Sequence, residues 1–272
     1  MKNLIKFGKE IFPICRSITG NGTLNTLKKI KKKYLTELKI KKIPSGKKVF
    51  DWKVPQEWNI YDACVIDKYS KKIIDFKINN LHVINYSTPQ NKKITKNKLL
   101  KKLNFIKNYP NTIPYITSYY KKNWGFCVTK KQYDKIKKNY KNSDIFEVKI
   151  ISKFKKNGNL HYGELLIPGR SKKEILLSTY ICHPSMANNE LSGPLLSIAL
   201  YKYFKKIKLL EKSIRLIFIP ETIGSISYIN KNISRIKKNM IFGFVLTCVG
   251  DNKKFSILTS KYNDTYVDKM CL

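Results

Sequence analysis

The chain has 272 residues, 42% hydrophobic and 12% aromatic, with a formal net charge of +37. That is enough apolar chain to bury a large core in more than one domain, and it excludes a disordered class. No run approaches the roughly 18–20 apolar residues of a membrane span. Lys6, Lys9 and Glu10 interrupt any secretory core in the basic N-terminus, so a cytoplasmic protein without a membrane partner is expected.

Of the 55 basic residues only Arg16, Arg170, Arg215 and Arg235 are arginine; the rest are lysines spread along the chain. Arginine is the side chain that forks onto phosphates and base edges. Lysine comes here with abundant Asn, Ile and Tyr, all encoded by AT-rich codons, so genome composition accounts for the charge. Salt-sensitive, non-specific attraction is expected, but no specific nucleic-acid partner. The six cysteines (Cys15, Cys64, Cys127, Cys182, Cys248 and Cys271) are far apart and form no C-x-x-C pair. This argues against a disulfide framework or a structural zinc site. Cys182 and Cys248 fall near predicted strand ends, as buried thiols or as part of a site lining.

In chain order, apolar spacing predicts a helix over residues 2–16 that stops near Pro13. A turn-rich loop, 16–22, leads to Thr23 as N-cap and a second helix through Leu38. A short strand at 39–43 follows. From about Val49 to Tyr140 the texture changes, with all three tryptophans and short β runs at 62–66, 72–76 and 81–86. The one helical stretch expected before position 110 is 95–106, and the aromatics of the whole segment read as core or as a rim over a cleft. Next come a predicted hairpin (147–154 and 160–167), a buried strand at 175–182 and a helix at 193–207. A strand at 214–219, a helix at 226–236 and a strand at 241–248 complete the pattern, with strand-like 255–260 and a helical start at Thr265. Strand–helix–strand–helix–strand implies an α/β fold with a doubly wound sheet.

His183, Glu221 and Asp251 each follow a predicted core strand, so adjacent strands would bring them to one edge. An imidazole and carboxylates suit zinc, which needs about three protein ligands and an open position for water. A nearby carboxylate can take that water's proton.

Several segments resemble M28-type zinc aminopeptidase-like proteins with an inserted β domain (DUF4910/DUF2172-type). Some of these are described as polysaccharide-biosynthesis proteins with an aminopeptidase-like domain. The segments are FPICRSITGNG at 12–22, PSG at 44–46, VFDWKVP at 49–55, NYSTP at 85–89 and PYITSYY at 114–120. They continue with YGELLIPG at 162–169, CHPS at 182–185, SGP at 192–194 and PETIGS at 220–225. The resemblance implies a zinc-peptidase-like mixed sheet with helices on both faces, formed by 1–46 and 145–272, and a mostly β lid inserted at 47–144. It also implies that the fold continues past Leu272, where the last metal-site residues would lie. His183 matches the first metal-binding histidine and Glu221 the general base. Departures stand at Asn189, where the pattern has an Asp that bridges two metals, and at Thr222 and Thr247, where it has acidic ligands. Glu190 and Asp251 are the replacement metal ligands, and Asn188 and Asn189 the substrate-binding or orienting residues. The implied function is a metallohydrolase cleaving a small peptide or amide with one or two Zn2+. The alternatives are an inactive peptidase-fold protein with a polysaccharide-biosynthesis or binding role, and polyanion binding through the lysine surface. A homo-oligomer is left open.

Overall fold

In chain order the computed structural model, which describes residues 2–252 and 256–272, begins with α1 (Lys2–Ile11), α2 (Asn21–Lys33) and β1 (Lys39–Pro44). Then come β2 (Glu57–Ile66), β3 (Lys72–Asp75), β4 (Gln90–Thr95), α3 (Lys96–Leu100), α4 (Lys130–Asn139) and β5 (Ile145–Lys155). The second half holds β6 (Asn159–Ile167), β7 (Ser171–Tyr180), α5 (Ser192–Phe204), β8 (Lys212–Ile219), α6 (Ile223–Asn239), β9 (Met240–Leu246) and α7 (Tyr266–Cys271).

Side chains alternate faces along a strand, and β8 is apolar on both. Ile214, Leu216 and Phe218 meet Phe7 and Ile11 of α1, Leu27 and Ile30 of α2, and Ile198 of α5. Ile217 and Ile219 meet Ile223 and Tyr228 of α6 on the other side. Each such burial contributes about 1.5–3 kcal/mol, so a strand buried on both faces takes the middle of the sheet. The order is β1-β6-β8-β7-β9. β7, β8 and β9 run parallel, while β6 is antiparallel to both β8 and β1. The fold is therefore the expected mixed, doubly wound α/β sheet.

A second sheet, ordered β3-β2-β5-β4, buries its own core of Ala63, Val65, Ile74, Phe146 and Val148 against Leu99 of α3 and Ile136 of α4. Several sequence expectations change here. Residues 81–86 form no strand: Asn79 caps a single 3-10 turn at Asn80–His82, and only isolated bridges follow at Val83 and Asn85. The fourth strand is β4, whose lysines face outward on the sheet edge and hide its β character. The helix expected over 95–106 ends at Leu100, because Leu103 and Asn104 pair with Phe126 and Cys127. α4 was not anticipated; Ile136 is its sole fully buried side chain, although Thr129 and Gln132 form a capping box at its start. β5 and β6 are not a hairpin, since β5 pairs with β2 and β4 and β6 with β1 and β8. α2 starts at Asn21 behind Gly20, whose φ of 90° suits glycine, rather than at Thr23. Of the expected strand at 255–260, Phe255 lies outside the described residues and 256–260 is irregular.

Towards the amino ends of the parallel strands, Arg215 clamps Glu174 with bonds of 2.6 and 2.7 Å and reaches Glu164 at 2.8 Å. Arg235 adds a 2.7 Å bond to Glu174, and Tyr228 donates to Glu164 at 2.9 Å. All six cysteines are free, and among the described residues no helix is long and apolar enough to cross a membrane.

Candidate functional site

Parallel register sets the strand ends level, with Tyr180 of β7 beside Ile219 of β8 and Thr179 beside Leu246 of β9. The residues that leave these three strands therefore share one edge, where open α/β sheets hold ligands. Each exit loop carries one non-glycine residue in the left-handed region: Ser185 (φ 37°), Thr222 (φ 53°) and Cys248 (φ 53°). Such strain costs about 1–3 kcal/mol per residue and gathers at functional sites.

His183 is the hub. Its Nδ1 lies 2.6 Å from Glu190 Oε2, and its Nε2 lies 3.0 Å from Glu221 Oε1. Glu190 is fully buried, whereas the Glu221 side chain keeps 35% exposure, so the solvent side of the histidine is the one that Glu221 covers. Burial opposes charge on His183, but its bonds to Cys182, Glu190 and Glu221 outweigh burial and hold its pKa well above the ordinary range. The same bond to His183 holds Glu221 below the usual carboxylate range.

Arg16, also fully buried, closes the inner side. Its Nε donates to the His183 carbonyl at 2.9 Å and stands 3.5 Å from Glu190 Oε1, while Nη1 donates to the Ile11 carbonyl at 2.7 Å. Two rings flank the imidazole edge to face, Tyr115 at 5.1 Å and Tyr180 at 6.1 Å.

Glu190 sits in a π-type turn at Ala187–Leu191 that runs into α5. That turn is clasped to the loop after β9. Asn188 Oδ1 accepts from Gly250 N at 2.8 Å, and Thr247 Oγ1 donates to the Asn189 carbonyl at 2.9 Å. Gly193 lets α5 approach the strand ends, because a Cβ there would stand 2.1 Å from Thr179 Oγ1 and 2.2 Å from the Leu246 carbonyl oxygen.

Thus His183, Glu190 and Glu221 come together, whereas Asp251 lies on the rim, accepting from Asn188 Nδ2 at 3.4 Å. Asn189 turns its amide nitrogen towards Cys248 Sγ at 3.9 Å. Sequence reasoning did not single out Arg16, Tyr115 or Tyr180. For Arg16 a signal existed, as one of only four arginines in a lysine-dominated chain.

Among the described residues, one group of side chains could hold a cation. Glu190 Oε1 and Asn189 Oδ1 are, among the described residues, buried oxygens without a hydrogen-bond partner, and donor atoms of Cys182, His183 and Glu190 lie within 4.8 Å of one another. Asn, Thr and Thr at 189, 222 and 247 supply no charge for a second cation.

The fold is that of an aminopeptidase-like α/β protein. A zinc aminopeptidase from Bacillus subtilis superposes with a TM-score of 0.57 at 12% identity, over 91% of this chain and 69% of that one. An aminopeptidase from Aneurinibacillus sp. strain AM-1 gives 0.50 at 14%, over 92% and 71%. These likenesses concern the fold alone. The family described as "Domain of unknown function (DUF4910)" matches residues 5–272, and the chain belongs to it. A "Putative polysaccharide biosynthesis protein with aminopeptidase-like domain" from Clostridium acetobutylicum is 46% identical over 98% of this chain and 59% of its own length. The crystal structure of a "putative peptidase" from the same organism superposes with a TM-score of 0.89 at 43% identity, over 99% of this chain and 61% of that one. The chain thus spans about three fifths of the length of these relatives.

Proposed function

We propose that the chain is an aminopeptidase-like hydrolase that cleaves a small peptide or amide with a water activated at one divalent cation, zinc by the nature of the donors. The observation that carries this reading is the imidazole of His183, held from behind by buried Glu190 and facing half-exposed Glu221. His183 would hold the cation through Nε2, the nitrogen on the solvent side. Glu190 fixes the ring through Nδ1 and raises its basicity, as a carboxylate behind a histidine ligand does. Cys182 and Glu190 are donors on the inner side, but there the Arg16 guanidinium already supplies positive charge. Zinc, when bound, polarises the substrate carbonyl and lowers the pKa of a water. Glu221 takes the proton of the attacking water and returns it to the leaving amine. Asn188, Asn189 and Asp251 form the rim that meets the substrate.

Zinc content of the purified chain and of His183→Ala, with hydrolysis of an aminoacyl p-nitroanilide, tests this reading. About one zinc per wild-type chain, lost in the variant together with hydrolysis, is expected from a single catalytic site. A wild-type chain with neither zinc nor hydrolysis overturns it in favour of an inactive scaffold.

A further inference from the structure

A cavity of about 640 Å³ lies between α1 and α5, and His183, Glu190 and Glu221 are not among its walls. Ile5 and Phe12 line it from α1, Leu195, Leu196 and Ala199 from α5, and Val249 from the loop after β9. Helical spacing accounts for the apolar wall. α1 turns Leu4, Phe7 and Ile11 into the core, which leaves Ile5 and Phe12, 54% and 36% exposed, on a neighbouring face. Gly8 lets that face come close to α5, because a Cβ there would stand 2.8 Å from Leu195 Cδ1.

Apart from Lys9, the polar side chains of the wall are Asn188 and Ser192, and both are spent. Ser192 Oγ donates to the Asn188 carbonyl and accepts from Val249 N at 3.1 Å. Asn188 Oδ1 accepts from Gly250 N at 2.8 Å, and Nδ2 donates to Asp251 at 3.4 Å. A peptide or a sugar lodged here would leave its own amides or hydroxyls unpaired, a cost that a hydrocarbon chain does not incur. The volume is that of a small-molecule pocket. Lys9 is the one charged residue of the wall, exposed on α1, and its ammonium has no hydrogen-bond or ion-pair partner among the described residues. Asp251 stands beside the turn that holds Asn188, so a negative head group belongs at the α1 wall.

We propose that this cavity binds a free fatty carboxylate, with its chain between α1 and α5 and its head at Lys9. The turn Ala187–Leu191, which carries Glu190, forms one wall, so the ligand lies against the back of the candidate site. Binding does not depend on hydrolysis at His183.

The test is calorimetric titration of the full chain with hexanoate, octanoate, decanoate and decyltrimethylammonium. Affinity should rise about 3–4-fold for each methylene added to the carboxylate, as burial of the chain requires. Lys9→Ala, at an exposed position, should weaken decanoate about 2–5-fold and leave decyltrimethylammonium unweakened. Lys135→Ala removes the same charge from α4 and should change neither. Ala199→Phe fills the cavity and should weaken decanoate at least about 10-fold, an unaltered melting temperature showing that the fold persists. No saturable decanoate binding, affinity independent of chain length, or equal losses in Lys9→Ala and Lys135→Ala overturns the proposal. So does a dimer in sedimentation velocity that Ile5→Asp splits, since a second copy would then cover the cavity. Cosedimentation with anionic vesicles that needs Lys9, without saturable decanoate binding, would assign this face to a lipid surface and overturn it equally.

Discussion

His183 and Glu221 leave neighbouring parallel strands at the same level, and Nε2 of the one lies 3.0 Å from Oε1 of the other. The pairing follows from register: Tyr180 faces Ile219, so residues a few positions beyond each strand emerge side by side. Glu190 completes a line of carboxylate, imidazole and carboxylate, buried at one end and wet at the other.

On the proposed reading the two carboxylates have different roles. Glu221→Gln should retain zinc and lower kcat by about 10²–10⁴-fold, as loss of a general base does. Glu190→Gln should instead weaken zinc about 10–100-fold, as loss of an orienting partner does. Metal titration beside steady-state kinetics distinguishes them, and equal metal loss in both variants would contradict the assignment.

Arg16 is a second point of attack. Its guanidinium joins the His183 and Ile11 carbonyls and the Glu190 carboxylate, all in the interior. Arg16→Ala leaves Glu190 buried without its cation and should destabilise the chain by about 3–5 kcal/mol. Arg16→Lys should recover little of that, because an ammonium lacks the planar fork. Urea denaturation of the three proteins measures the difference.

Gly193 is predicted to tolerate no side chain. The Cβ of Gly193→Ala would meet a backbone carbonyl oxygen at 2.2 Å, and backbone cannot swing aside as a flexible side chain does. Overpacking of this kind costs about 1–3 kcal/mol. The shift moves α5 and the turn bearing Glu190, so a lower melting temperature should come with weaker zinc binding.

Acid should loosen the opposite end of the sheet. Burial raises the pKa values of Glu164 and Glu174, but Lys41, Tyr228, Arg215 and Arg235 outweigh it and leave both below the usual 4.5. The folded state then binds these protons less readily than the unfolded one. The stabilisation is complete above about pH 4.5 and fades as pH falls through the depressed values. Stability by urea denaturation between pH 7 and about pH 3 should drop less steeply for Glu174→Gln than for wild type. Parallel curves would show that the cluster contributes nothing to acid sensitivity.

Much of this protein is determined by its sequence alone. The runs that become β7, β8 and β9 are apolar and short, and the segments between them have helical spacing, so local pattern is enough to order a doubly wound sheet. His183 and Glu221 were legible for the same reason, since each directly follows such a run. The presence of Arg16, Arg215 and Arg235 among so many lysines also has a physical reading, because all three sit in ion-pair networks where a planar fork is needed.

Only the tertiary structure decided the rest. β4 carries lysines and asparagine, and it becomes a strand because β5 offers it a ladder, not through any pattern of its own. Arg16 stands 167 positions from the His183 carbonyl it binds, and Tyr115 reaches the same histidine from the segment of the second sheet. Contacts of that separation leave no periodic trace in a single sequence, because they depend on how distant segments are brought together rather than on the residues beside them.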